Sequence, residues 1–253
     1  MITDLQKASL SKRIAAGLLD VMLLLVVVVG FAALLTWLFG YESHGIAMNQ
    51  RTTFYESQYD VDLSISQEEY TAMTEAQRKH FDEAWAARGQ DEQWAYHFNM
   101  VVSLTLLITT FSILLGLVLL EVMVPLLLKN GQTIGKKAFA LGVMRVDAVQ
   151  ITPLQLVVRT VLGKFTIETM ISVYLIIMIV FQMVGMTGPL VILGLLVTQL
   201  MCMIATKTNS MIHDLLAGTV VVDISSQKIF RTTTDLIDYQ KKIAAERAAR
   251  QQY

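Results

Sequence analysis

The chain is poor in most of what soluble folds use for staples, breaks and solvated surface. A single cysteine, Cys202, occurs among 253 residues. It excludes an internal disulfide, and with no neighbouring base it gives no support to a cysteine nucleophile. Charged residues make up only 16%, prolines number three, and the formal net charge of −1 suggests no nucleic-acid partner. The four histidines, His44, His80, His97 and His213, lack metal-ligand spacing. "GQTIGKK" (131–137) falls short of a phosphate loop by one residue between its glycines, and no Ser/Thr follows for magnesium. No catalytic, metal or cofactor set emerges, so an enzyme is not expected. No low-complexity tract or convincing repeat is present.

Apolar residues are abundant instead: 54% of the chain, with a mean hydropathy of +0.53. Four windows approach the roughly 20 residues that ~30 Å of hydrocarbon requires, at about 14–39, 99–128, 165–185 and 189–206. The first exceeds the roughly 7–15 apolar residues of a signal peptide and has no clear cleavage site after it. It reads as a retained helix. The class expected is an all-α membrane protein with four transmembrane helices, its first partner being the lipid bilayer.

The near-zero net charge hides segregation. Residues 41–96 carry eleven Asp/Glu against four Lys/Arg, and the rest of the chain ten against sixteen. Basic residues gather before the first window, between the second and third, and after the fourth. The positive-inside rule then puts both termini in the cytoplasm and the acidic segment outside.

That outer segment is patterned as a helical insertion. "SQEE" (66–69) and "TEAQ" (74–77) match capping boxes, and Tyr70, Met73, Phe81, Trp85 and Trp94 add partial helical periodicity. Two or three short helices are expected, with "RGQD" (88–91) as the break before the second membrane helix. On the inner side, a short helix through Lys136 and Lys137 and β-prone runs near 141–147 and 217–224 are expected, the two runs pairing beneath the membrane. The polar tail, 224–253, ends in a solvated helix.

Charges at the spans follow a pattern in depth. Arg13 and Asp20, seven residues apart, project from nearly the same helix face about 10 Å apart in rise. Nineteen uncharged residues follow Asp20, and twenty-one precede Glu121, which places both at the same inner level. Arg159, Lys164 and Glu168 enter the third window from that side, Lys164 and Glu168 at the spacing of an i,i+4 pair. Three cations against four carboxylates, Asp214 included, leave one carboxylate without a partner and open to a proton or cation. Intramembrane charges ordinarily face a partner or a wet cavity.

Three segments together, "RIAAGLLD" (13–20), "GQTIGKKAFALGVMRVD" (131–147) and "HDLLAGTVVVD" (213–223), resemble the RDD family of bacterial membrane proteins. The resemblance covers roughly 10–223 apart from the 41–96 insertion. It implies a cytoplasmic-membrane protein and assigns the family's arginine to Arg13 and its two aspartates to Asp20 and Asp214. Glu121, Arg159, Lys164 and Glu168 are supporting charges. Two functions stay open: transport of an ion or small solute, coupled to protons and carried out by a homo-oligomer if four helices make too thin a conduit, or a scaffold that binds partners without transport.

Overall fold

The computed structural model describes residues 8–128, 131–180 and 183–251. They form α1 (Leu10–Leu38), α2 (Tyr41–Tyr59), α3 (Gln67–Ala72), α4 (Glu75–Gly89), α5 (Glu92–Leu128), α6 (Ile134–Ala138), β1 (Leu141–Arg145), α7 (Pro153–Val180), α8 (Thr187–Ala205), α9 (Ile212–Ala217), β2 (Thr219–Asp223) and α10 (Thr233–Gln251). Helices α1, α5, α7 and α8 are each long and apolar enough to cross a membrane. Only 6% of the apolar window of α1 is buried within the protein, so this surface meets lipid rather than a core. The protein is a membrane protein of the expected all-α class.

Two span boundaries differ from expectation. Helix α5 starts at Glu92 rather than near 99, because the Asp91 carboxylate accepts from the amides of Gln93 (2.8 Å) and Trp94 (3.1 Å) and so caps the first turn. Helix α7 starts at Pro153 rather than near 165, where Thr152 and Gln155 form a reciprocal capping box with proline at the first position. Residues 181–182 of the expected third window lie outside the described residues.

The chain divides into two compact units. The unit of residues 29–112 contains both predicted capping boxes, at Ser66/Glu69 and Thr74/Gln77. Its helix α2 runs for 19 residues and is not short, since nothing between Tyr41 and Tyr59 breaks it and Gly40, at φ 63°, makes the turn before it. Leu63, Phe81 and Ala84 form the core with Tyr55, Tyr59 and Tyr70 around them. The buried Arg88 guanidinium sits 4.0 Å from the Trp85 ring centroid and 4.6 Å from that of Trp94. Asp91 also accepts from Arg51 and from the Tyr55 hydroxyl, tying α2 to α5. Asp91→Ala should therefore speed amide exchange at Gln93 and Trp94 at least tenfold while Glu75–Gly89 stays protected. Equally fast exchange through all of α4 would mean that this unit is not independently packed.

In the other unit β1 and β2 pair antiparallel, Leu141 opposite Asp223 and Arg145 opposite Thr219. Two strands alone are marginal in water. These are buried on both faces: Leu141, Val143 and Val221 pack with Ala16 and Leu156, while Met144, Val220 and Val222 pack with Val149, Phe230 and Leu236. That explains an apolar run without polar alternation.

Candidate functional site

The sheet and α6 bring the loop segments against the charged ends of α1, α5 and α7. Asp20 is held by the turn that opens α6. Its Oδ2 accepts from the Thr133 hydroxyl (2.5 Å), its Oδ1 from the Gly135 amide (2.8 Å), and Lys136 Nζ stands 3.5 Å away. A Cβ on Gly135 would lie 2.3 Å from the Ala16 carbonyl oxygen, so only glycine lets this turn approach α1 so closely.

Asp214, with no exposed surface, joins two arginines. Arg13 Nη2 donates to Oδ2 (3.1 Å) and Arg159 Nε to Oδ1 (2.9 Å). Burial by itself would raise this carboxyl. The guanidiniums of Arg159 and Arg13 outweigh that and hold it below the ordinary carboxylate range. Arg13 also donates to the Thr208 carbonyl (3.2 Å). Its carboxylate partner is thus Asp214, not Asp20 on its own helix face.

Arg159, 1% exposed, reaches His213 through Nη2 (3.0 Å from Nε2). A guanidinium can only donate, so His213 Nε2 accepts and its hydrogen lies on Nδ1, donating to Glu168 (2.9 Å). His213 is accordingly neutral. Burial lowers its affinity for a proton, the Arg159 and Lys164 cations lower it further, and its carboxylate neighbours Asp214 and Glu168 only partly offset this.

Glu121 completes the cluster. It is ion-paired with Lys164 through Oε1, while Oε2 faces Arg159 Nη1 at 3.8 Å and Lys136 Nζ at 3.9 Å. Neither Glu121 Oε2 nor Arg159 Nη1 has a hydrogen-bond partner. Both residues line a cavity of about 290 Å³, together with Asp20, Lys136, Lys164 and Glu168. Arg13, Thr169 and His213 also line it, and Val21, Leu24, Leu117 and Leu120 supply an apolar part of the wall.

The winding of the helices decides which charges meet. Leu119–Met123 of α5 and Val158–Met170 of α7 are π-wound, each backbone bond reaching the fifth residue instead of the fourth. The wider turn shifts the side-chain faces from those of an α-helix, and Arg159 and Lys164 both reach Glu121. The expected Lys164–Glu168 pair does not form: Lys164 binds Glu121 and Glu168 binds His213.

Lys136, which the depth of the spans does not bring into the cluster, joins it through the turn that opens α6. Counted in, four cations (Arg13, Lys136, Arg159, Lys164) face four carboxylates (Asp20, Glu121, Glu168, Asp214), and the anticipated surplus negative charge disappears. A second meeting hidden in the sequence lies in the other unit, where His44 and His97 place their Nδ1 atoms 3.0 Å apart. Fifty-three residues separate them, so no local spacing signals it.

No curated protein and no solved structure matches the chain. The model of the RDD family matches residues 7–218, which include Arg13, Asp20, Asp214 and the Thr133–Lys136 turn. By that match, the chain belongs to the RDD family.

Proposed function

We propose that this protein carries an ion or small polar solute across the bacterial cytoplasmic membrane, coupled to protons, with the charged cavity as its binding chamber and no catalytic residue. The observation that carries this reading is the pair Glu121 Oε2 and Arg159 Nη1, buried atoms 3.8 Å apart that each lack a hydrogen-bond partner, on two residues that line the cavity. An unmet buried donor and acceptor each cost about 1–3 kcal/mol, more when charged, unless water or a ligand satisfies them. Arg13 lines the chamber, Asp214 ties Arg13 to Arg159, and Asp20 anchors the turn that presents Lys136.

Purified protein in liposomes loaded with a pH-sensitive dye tests the reading, under imposed gradients of sodium, potassium, chloride or phosphate. A salt-dependent proton flux is expected, reduced at least tenfold in Glu121→Gln, which keeps the shape of the side chain and removes its charge. Absence of flux under every gradient would leave the protein as a partner-binding scaffold.

We place both termini in the cytoplasm, on the strength of the charge segregation between residues 41–96 and the rest. In a Cys202→Ser background, cysteines at the exposed Ser57 and Ser226 should react with an impermeant thiol reagent from opposite sides of intact cells, Ser57 from outside. Reaction of both from outside would reverse this placement.

A further inference from the structure

The balanced cluster raises the question of which member gives up or takes a proton. Asp214 is locked between two guanidiniums, which do not deprotonate in proteins. His213 is held neutral by the Arg159 donor on one side and Glu168 on the other. Glu121 touches three cations, one in a close ion pair. Asp20 accepts two hydrogen bonds at 2.5 and 2.8 Å.

Lys136 differs from all of these. Its side chain is 9% exposed, and its ammonium makes one hydrogen bond, to Thr133 Oγ1 at 3.1 Å. That hydroxyl already gives its own hydrogen to Asp20. The two carboxylates it faces, Asp20 of α1 and Glu121 of α5, stand off at 3.5 and 3.9 Å. From α7 it faces Arg159 and Lys164, both cations that oppose its charge. An ammonium with three hydrogens, one acceptor within bonding distance and a cavity beside it is the loosest charge in the cluster.

We infer that Lys136 is the proton-exchanging group of the chamber, its ammonium releasing a proton into the cavity and leaving a net negative charge that a cationic solute can neutralise. The N–H bond breaks, the electron pair stays on Nζ, and the proton leaves through cavity water. The cluster then holds three cations against four carboxylates, with Glu121 Oε2 and Asp20 as the oxygens left to face a cation. Burial first, and then the neighbouring Lys164 and Arg159, push the Lys136 ammonium down to about 8, with Glu121 and Asp20 opposing. As the group that couples solute to proton, Lys136 rests on the transport reading. Its titration does not.

The test is therefore made at equilibrium on the full chain in nanodiscs. With lysines labelled at Cε and Nζ, one resonance should titrate near pH 8, about two units below the surface lysines, and should vanish in Lys136→Arg, which keeps the cation and cannot release it. A midpoint above pH 10 for that resonance would overturn the proposal. Sodium, potassium or methylammonium chloride added at pH 8 should release up to about half a proton per chain from the wild type, the group being half protonated at its midpoint, and none from Lys136→Arg. Failure of all three salts to release a proton would overturn the exchange. A positive titration and proton release from a protein that gives no flux in liposomes would sink the transport reading while leaving this assignment in place.

Discussion

Asp214→Asn should cost the intact protein roughly 3–5 kcal/mol, the range expected when one partner of a buried ion pair is removed and the other is left behind. Here two partners are left behind, Arg13 and Arg159, at a site with no exposed surface. The expected result is poor accumulation in the membrane and a lowered unfolding temperature in detergent. Arg13→Gln should do less damage, because Arg159 still neutralises Asp214 at 2.9 Å. Acid gives an independent check. Because the folded carboxyl is held low, its contribution is complete above its ordinary value near pH 4 and fades only as the pH falls through the lowered one. The stability gap between wild type and Asp214→Asn should thus be flat from pH 5 to 7 and close in stronger acid. A variant purified at wild-type yield and unfolding within two degrees or so of wild type would show that Asp214 is not the joint of the cluster.

Gly135→Ala should be nearly as severe. The added methyl would stand 2.3 Å from the Ala16 carbonyl oxygen and 2.8 Å from Asp20 Oδ1, and the nearer of these is backbone in the second turn of α1. The turn has to lift away from α1, losing the Gly135 amide bond to Asp20 and moving Lys136 from its carboxylates. Overpacking typically costs 1–3 kcal/mol, and the lost bond to a charged acceptor about 1.5–3 more. Gly17→Ala is the control. It also lines the cavity, but its methyl would meet nothing within 4 Å, so it should unfold no earlier than wild type. Equal behaviour of the two alanine variants would remove the close approach at Gly135 as an explanation for the glycine.

Much of this architecture is readable from local signals. The spans follow from apolar run length against bilayer thickness, and the paired capping boxes at Ser66 and Thr74 from side chains bonding to amides three residues away. The strands at 141–145 and 219–223 follow from β-branched composition. Each needs only neighbours in the chain. The cap of α5 at Asp91 is local as well, its carboxylate meeting amides two and three residues on, whereas its bonds to Arg51 and Tyr55 span 36 to 40 residues and leave no local signal.

The candidate site divides along the same line. Which residues carry charge, that they gather at one end of the spans, and that Arg13 and Asp20 share a helix face all follow from composition and from 3.6 residues per turn. The partners do not. π-winding in α5 and α7 changes which residues stack, so Lys164 meets Glu121 and leaves Glu168 to His213. Lys136 enters because Gly135 lets its turn touch α1 across 115 residues. Pairing among buried charges is set by distances of a few ångströms between segments remote in sequence, and those distances exist only once the helices have packed.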